Sequence, residues 1–239
     1  MHQNIENPRF PESEKYLFLP GEAGKIELLI SPKPSSDSSN NSNTNKNICA
    51  IICHPHPLFS GTMDNKVVYT THKALYYFGC HTIRFNFRGV GRSEGQHDSG
   101  VGETRDLLQI ISWLGTEKPG YQIILAGFSF GAYIALKAAQ ALETAPNGQE
   151  ILCLISIAPA VHHQDYKLYL PVNCPWLIIQ GCEDEIVPAE LVFDLVSQAE
   201  TKSMLASITL IKFPETSHFF HGKLPDLKNC LIKYLNEKF

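Results

Sequence analysis

The feature that most restricts how this chain folds is the segment Gly-Phe-Ser-Phe-Gly at residues 127–131. It follows the apolar residues 123–126 and precedes residues 132–139, which have a helical composition. A sharp turn from a strand into a helix brings the residues on either side of it close together, and glycine removes the Cβ atoms that would clash there. The segment therefore predicts a strained turn that holds Ser129 at the end of a strand.

A serine in this setting is typical of a nucleophile in acyl transfer. The free N–H groups and the positive dipole end of the following helix point at the same place as the serine oxygen. The alternative is that Ser129 is a helix N-cap with no chemical role. The glycines on both sides of the serine favour the nucleophile.

Strand-like apolar runs alternate with segments of helical spacing along the rest of the chain. The first two runs, residues 16–19 and 26–30, flank a turn-rich link and predict an antiparallel hairpin. Further strands are predicted at residues 49–53, 82–87, 123–126, 151–157, 176–179 and 208–213. Helices are predicted at residues 66–77, 102–114, 132–139, 188–199 and 227–236. This alternation predicts an α/β fold with a mostly parallel sheet of about eight strands and helices on both faces.

The length of 239 residues suits one α/β domain over residues 1–239. Residues 31–47 are rich in Ser and Asn and are expected to form a flexible surface loop. The link between the strands predicted at residues 151–157 and 176–179 is short, which leaves little room for a lid. We therefore expect an open or lightly covered site.

Charge and composition exclude several classes of function. The net charge is −4, which gives no basic surface for nucleic acid. The N-terminus lacks the basic and apolar parts of a signal peptide, and no apolar run approaches the roughly 20 residues that span a bilayer. Seven cysteines without a C-x-x-C pair predict free thiols, with Cys182 in a structural role. A cytoplasmic protein without membrane or nucleic-acid partners is expected.

A nucleophilic serine needs a base that is oriented by a carboxylate. Chemistry in open α/β sheets gathers at the carboxyl ends of the strands, and Asp184 and His218 each follow a predicted strand. Asp184 is preferred to its acidic neighbours Glu183 and Glu185, because its spacing to the next helix matches a strand-end acid loop. His218 also forms a His-x-x-His pair with His221, but that pair has no further ligand, so no metal is expected.

Acyl transfer also needs two N–H donors for the oxyanion. The residue after the nucleophile, Phe130, is expected to supply the first. The second is expected from the loop at residues 54–62, in which Pro55 and Pro57 have no N–H to donate. The preferred second donor is therefore Leu58.

Two questions about this loop stay open in the sequence. His56 and Phe59 are less favoured alternatives for the second donor. His54 and His56 are compatible with metal ligands or a second base, but we favour hydrogen-bonded supports of the loop.

The glycine-rich residues 87–95 also follow a predicted strand. A phosphate-binding loop is one interpretation, but the segment lacks the Gly-Lys-Ser/Thr ending and the G-x-G-x-x-G spacing. We expect a structural turn in which Arg88 pairs with a carboxylate.

Taken together, five motifs resemble one known group of proteins. They are His-Pro-His-Pro-Leu (54–58), Gly-Thr-Met-Asp-Asn-Lys-Val-Val (61–68), Arg-Phe-Asn-Phe-Arg-Gly-Val-Gly-Arg-Ser-Glu-Gly (84–95), Gly-Phe-Ser-Phe-Gly-Ala (127–132) and Ser-His-Phe-Phe-His-Gly (217–222). The set resembles the small bacterial α/β-hydrolases related to dienelactone hydrolase and to the serine aminopeptidase/esterase group. The resemblance implies a cytosolic α/β-hydrolase with a minimal lid and with Ser129, Asp184 and His218 as its catalytic triad. Dienelactone hydrolases proper carry cysteine where this chain carries serine.

The expected activity is hydrolysis of a small carboxylic ester or thioester through an acyl-enzyme, without a cofactor or a metal. A non-catalytic binding protein, an acyltransferase and a peptidase remain alternatives. The expected partner is a small acyl substrate, and the chain is expected to be a monomer or homodimer. Six aromatic residues are candidates either for an acyl pocket or for the core: Phe59, Phe128, Phe130, Tyr133, Phe219 and Phe220.

Overall fold

The computed structural model describes residues 7–33, 47–143, 149–169, 172–201 and 208–239, and its eight strands form one sheet. The strands are β1 (Lys15–Gly21), β2 (Gly24–Ser31), β3 (Ile48–Cys53), β4 (His81–Phe85), β5 (Gln122–Phe128), β6 (Ile151–Ile157), β7 (Trp176–Gly181) and β8 (Ile208–Phe213). Their order in the sheet is β1-β2-β4-β3-β5-β6-β7-β8. The pairs β1–β2 and β2–β4 are antiparallel and all other pairs are parallel. The predicted hairpin and mostly parallel sheet are confirmed.

Helices cover both faces of this sheet. They are α1 (Lys66–Phe78), α2 (Val101–Glu117), α3 (Phe130–Glu143), α4 (Ala189–Thr201) and α5 (Leu224–Lys238). Alternate residues of β3 face opposite cores, as the two-residue period of a strand requires. Ile48 and Ala50 pack in the core that holds α1 and α5. Cys49 and Ile51 pack in the core that holds α2, α3 and α4.

Strand β4 ends earlier than the sequence predicts, at Phe85 rather than at Phe87. Asn86 still bonds to β2, and the chain leaves the sheet at Phe87, whose N–H has an acceptor outside the neighbouring strands. The Asn86 N–H donates to the carbonyl of Glu27 (3.0 Å), and the Phe87 N–H donates to Nε2 of His54 (2.9 Å). The end of β4 is therefore tied to the loop that follows β3.

All five helices extend beyond at least one predicted end, and for two of them the sequence explains why. Helix α2 does not end near Gly115 but continues to Glu117, since a single glycine weakens a helix by about 1 kcal/mol without breaking it. Helix α5 begins at Leu224 rather than at Leu227, with Pro225 in its first turn, where a missing N–H has no consequence.

The predicted surface loop at residues 31–47 lies mostly outside the described residues. Ser31 ends β2, Asn47 precedes β3, and residues 34–46 are not described. The link from β6 to β7 contains a short 3-10 turn, Tyr166–Tyr169. None of the helices in the described ranges has the length and hydropathy needed to cross a bilayer.

All seven cysteines are free thiols, as their spacing predicts. Cys182 is exposed, whereas Cys53 and Cys153 are buried in the sheet. Burial raises the pKa of the Cys153 thiol to about 12 and also raises the pKa of Cys53. These two buried thiols are therefore uncharged packing groups.

Candidate active site

Ser129 occupies a strained turn between β5 and α3. Its φ angle is 55°, in the left-handed region that side chains other than glycine rarely adopt. A Cβ atom on Gly127 would lie 2.2 Å from the carbonyl oxygen of Gly131, and one on Gly131 would lie 2.4 Å from that of Cys53. The Ser129 N–H donates to the carbonyl of Ile157 (2.9 Å), which anchors the turn to β6. The two glycines therefore allow the close packing that the sequence predicts.

The structure brings Asp184 and His218 into direct contact. Nδ1 of His218 lies 2.8 Å from Oδ2 of Asp184. The loops that carry them follow β7 and β8, which are adjacent parallel strands, so both side chains emerge at the same edge of the sheet. Their exposed fractions are only 8% for Asp184 and 2% for His218, which strengthens the attraction between them.

Three other groups hold the Asp184 carboxylate. Oδ1 accepts the N–H groups of Ile186 (2.9 Å) and Val187 (2.7 Å), and Oδ2 also accepts Nε2 of Gln180 (2.9 Å). Burial by itself raises the pKa of Asp184, but the hydrogen bonds from His218, Val187 and Gln180 outweigh it, so the pKa lies below its usual value. The carboxylate is therefore ionised at neutral pH, and His218 Nδ1 carries the proton that it donates.

The alternative acids Glu183 and Glu185 and the alternative histidine His221 lie outside the Asp184–His218 hydrogen bond. Glu183 and Glu185 are exposed, and a carboxylate oxygen of Glu185 accepts the backbone N–H of His218 (3.1 Å). His221 is exposed and lies outside the Asp184 hydrogen bonds. Among these acidic side chains, Asp184 is the one that contacts the imidazole.

Ser129 lies at the same edge of the sheet as this pair. The ring of Phe128, the preceding residue, lies 5.0 Å from the His218 ring. Ser129 is 8% exposed. In this conformation of the described residues its hydroxyl is not hydrogen-bonded to His218. Such bonds are often long in free enzymes and form when substrate binds.

His54 supports the loop after β3, as the sequence predicts. Its Nδ1 donates to the carbonyl of Pro55 (2.6 Å) and its Nε2 accepts the N–H of Phe87 (2.9 Å). Complete burial lowers the pKa of His54 to about 3, so the ring is neutral. A neutral ring with both nitrogens bonded is a structural link between this loop and the end of β4.

The two expected oxyanion donors lie on different segments: Phe130 at the start of α3, and Leu58 in the loop after β3. Phe130 is the first residue of α3, where backbone N–H groups have no partner within the helix. Leu58 lies in a 3-10 turn, Pro57–Phe59, and its N–H donates to Nδ1 of His56 over 3.2 Å. Because this bond is long, the Leu58 N–H can be shared between His56 Nδ1 and a substrate oxygen while His56 still holds it.

A groove of about 520 Å³ lies between the link that follows β6 and helix α4. Residues 161–166 and one side of α4 form its walls. The walls include the rings of His162 and His163, whose centres are 3.8 Å apart and whose planes are tilted by 42°. Its wall begins at Val161, and the N–H of the preceding residue, Ala160, donates to the carbonyl of Ser129 (3.4 Å).

The six aromatic candidates do not form the wall of this groove. Phe128, Phe130 and Phe220 are at most 1% exposed and belong to the core. Phe59 is 82% exposed. For the three buried rings, the core interpretation is therefore the right one.

Sequence reasoning did not find several residues of this region. Gln180 is a polar residue at the end of an apolar strand, and this pattern could have indicated that it contacts the site. Glu185 was considered only as a rival acid and not as an acceptor for the His218 backbone. His97 and Glu103 form a hydrogen-bonded pair near His56, and no local pattern indicates it.

The sheet order and the strained serine between a strand and a helix define an α/β-hydrolase architecture. A family model for the alpha/beta hydrolase fold matches residues 58–171. An alpha-beta serine hydrolase homologue from Coxiella burnetii is 39% identical, with 95% of this chain and 99% of that chain covered and a TM-score of 0.82. An α/β serine hydrolase without a lid from Xanthomonas campestris is 38% identical, with 97% of each chain covered and a TM-score of 0.83. The chain belongs to the α/β hydrolase family.

A curated relative without an assigned function covers a large part of the same chain. An uncharacterised protein of Rickettsia prowazekii is 36% identical over 187 residues, which are 78% of this chain and 77% of that protein. The serine hydrolases from Coxiella burnetii and Xanthomonas campestris show that the protein is a hydrolase by class, and the identity of its substrate is a separate question.

Proposed function

We propose that this protein is a serine hydrolase that cleaves a small carboxylic ester or thioester, with Ser129 as nucleophile, His218 as base and Asp184 as the orienting acid. The observation that carries the proposal is the buried hydrogen bond between Asp184 and His218 at the edge of the sheet where Ser129 is held. The serine hydrolase relatives from Coxiella burnetii and Xanthomonas campestris support it.

In the first half of the reaction Ser129 Oγ attacks the carbonyl carbon. The hydroxyl proton moves to Nε2 of His218, whose Nδ1 stays bonded to Asp184. The ionised Asp184 stabilises the imidazolium that forms. His218 then gives the proton to the leaving alcohol or thiol, and the acyl group remains on Ser129.

In the second half a water molecule replaces the leaving group. His218 accepts a proton from the water as it attacks the acyl carbon, and it returns a proton to Ser129 Oγ as the acid leaves. In each half the carbonyl oxygen becomes negative in the tetrahedral intermediate and returns to a neutral carbonyl when that intermediate collapses. The N–H groups of Phe130 and Leu58 are proposed to stabilise this transient charge.

The groove between residues 161–166 and α4 is the proposed site for the substrate's side groups. Its volume of about 520 Å³ lies within the range of small-molecule sites. The lidless Xanthomonas campestris relative agrees with a small, accessible substrate. We therefore favour short acyl chains over long lipid chains.

The decisive experiment compares the wild type with Ser129→Ala on p-nitrophenyl esters and matching thioesters of increasing acyl length. We expect Ser129→Ala to abolish hydrolysis and to prevent labelling by a fluorophosphonate. Ser112→Ala, an exposed serine on α2, is the matched control and should behave as the wild type. Activity retained in Ser129→Ala would refute the assignment. A wild type that neither hydrolyses esters nor reacts with the fluorophosphonate would indicate a non-catalytic binding protein.

A further inference from the structure

Glu103 is a buried carboxylate that the proposed mechanism does not use. It lies in the first turn of α2 and is 0% exposed. It accepts the N–H groups of Asp98 (2.9 Å) and Gly100 (2.8 Å), and it contacts Nδ1 of His97 (2.7 Å). Both oxygens of Glu103 thus act as hydrogen-bond acceptors. His97 Nδ1 therefore carries a proton and donates it to Glu103.

This pair repeats the arrangement of the proposed catalytic pair. In both, a buried carboxylate accepts Nδ1–H of a histidine, over 2.7 Å for Glu103–His97 and 2.8 Å for Asp184–His218. The bond determines the orientation of the His97 ring, because the carboxylate is itself held by the backbone of the loop. His97 is thus a rigid ring at the edge of the loop that follows β4.

The His97 ring packs against the two segments that carry the proposed oxyanion donors. Its centre lies 4.8 Å from the ring of His56 and 5.6 Å from the ring of Phe130. The rings of His56 and Phe130 are themselves 4.8 Å apart. The three rings therefore form a cluster between the loop after β3 and the start of α3.

His56 connects this cluster to the second donor. Its Nδ1 accepts the Leu58 N–H, so this nitrogen carries no proton. Burial and the neighbouring His97 both lower the pKa of His56, which keeps the ring neutral and able to accept. Any shift of the His56 ring moves the Leu58 N–H with it, because the two are bonded within a single turn.

We propose that His97, held by Glu103, is a positioning residue that keeps the backbone N–H groups of Phe130 and Leu58 at the spacing needed for an oxyanion. This inference rests on the proposed serine hydrolase function. Neither Glu103 nor His97 contacts the substrate. The pair acts through the rings of His56 and Phe130 and does not take part in proton transfer.

A positioning role of this kind affects the transition state more than the bound substrate. The carbonyl oxygen becomes charged only as Ser129 Oγ bonds to carbon, so misplaced donors reduce kcat and leave KM nearly unchanged. The same loss should appear in the binding of a trifluoromethyl ketone. This inhibitor forms a bond to Ser129 Oγ, its carbonyl electron pair becomes an oxyanion, and the serine proton moves to His218.

The test uses His97→Asn, in which the side-chain amide nitrogen replaces Nδ1 as donor to Glu103 while the ring is removed. We expect kcat for p-nitrophenyl butyrate to fall about tenfold with KM within about twofold, a partial loss compared with removal of a whole donor. The Ki of the trifluoromethyl ketone should rise by the same factor as kcat falls. Glu103→Gln, which keeps the length of the side chain, should give the same pattern.

Gln96→Ala is the matched control, because it removes an exposed side chain from the same loop and leaves Glu103 and its hydrogen-bond donors unchanged. It should retain the kcat and Ki of the wild type. Thermal melting identifies any variant that does not fold. A folded His97→Asn with the kcat and Ki of the wild type would overturn the positioning role and leave the proposed function intact. Absence of hydrolysis in the wild type would instead overturn the proposed function, and the positioning role with it.

Discussion

Nδ1 of His218 donates a 2.8 Å hydrogen bond to Oδ2 of Asp184 across 34 residues of sequence. The same carboxylate accepts two backbone N–H groups on its other oxygen. The pair is therefore oriented from both sides. This orientation leaves Nε2 of His218 as the nitrogen that can accept a proton.

Asp184→Asn should reduce kcat by about 10³- to 10⁴-fold with little change in fold. The N–H groups of Ile186 and Val187 require an oxygen on one side of the new amide, so its NH₂ group must face His218. His218 Nδ1 then has to accept, its proton moves to Nε2, and the ring no longer serves as a base. Steady-state hydrolysis of a p-nitrophenyl ester measures the change.

Glu183→Gln and Glu185→Gln are the controls for that substitution. Both side chains are exposed and neither contacts the imidazole, so each variant should stay within about tenfold of the wild type, well below the loss expected for Asp184→Asn. A larger loss in either of them than in Asp184→Asn would show that the acid has been assigned wrongly.

Ser129→Gly should be more stable than Ser129→Ala, although both are inactive. Ser129 has a φ of 55°, which strains any residue with a Cβ atom, and glycine relieves strain of about 1 kcal/mol. Alanine keeps the strain and removes only the hydroxyl. Urea unfolding of the two variants measures the difference, and equal stabilities would mean that the turn is unstrained.

Arg88→Lys should destabilise the fold by about 3 kcal/mol, because it breaks a buried bidentate ion pair. The Arg88 guanidinium donates to both oxygens of Asp106, each over 2.8 Å, and Asp106 is 2% exposed. A lysine offers one donor group in place of two and leaves part of the carboxylate unpaired. The midpoint of urea unfolding reports the loss.

The matched control for that substitution is Arg105→Lys. Arg105 pairs with Glu22 on the surface over 3.1 Å, and solvent screens that pair. The expected change is below about 1 kcal/mol. Equal losses in the two variants would contradict a special contribution from the buried pair.

Stability should fall as the pH decreases from 6.5 to 5, because three histidines are buried in the neutral form. Burial lowers the pKa of His54 to about 3 and the pKa values of His72 and His81 to about 4. Their folded pKa values lie below the unfolded value, so their contribution is complete above pH 6.5 and is lost as the pH falls toward the folded values. At pH 5 each histidine accounts for a loss of about 2 kcal/mol.

His72→Asn tests this account. Its amide can replace the 2.8 Å hydrogen bond between His72 and Thr82, but it does not titrate. The free energy of unfolding should therefore change by about 2 kcal/mol less between pH 7.5 and pH 5 than in the wild type. The same pH dependence in both proteins would exclude His72 as a source of the acid sensitivity.

Local patterns were sufficient for the turn at Ser129 and for the strands and helices. The turn depends on Gly127 and Gly131, which lie within the same five-residue segment as Ser129. Each strand or helix is recognisable from the periodicity of its own residues. Strand ends were less certain. The end of β4 depends on acceptors from Glu27 and His54, which are distant in sequence.

In the candidate site, too, some features follow from local sequence and others only from contacts between distant segments. The expectation that Arg88 pairs with a carboxylate is correct, but only the packing of α2 against the loop after β4 identifies Asp106 as that carboxylate. The sequence predicts that His56 lies in the loop at residues 54–62. Its contacts with His97 and Phe130 were not, because they join three segments.

The sequence by itself determined that a serine is held in a strained turn after a strand and that an acid and a histidine follow later strands. These properties depend on short segments, whose backbone preferences and apolar periods are local. Only the tertiary structure decided that Asp184, rather than Glu183 or Glu185, contacts His218, and that Glu103 orients a second histidine beside the proposed oxyanion donors. The reason is that the sheet order and the burial of each side chain determine these contacts, and both arise from the packing of the whole chain.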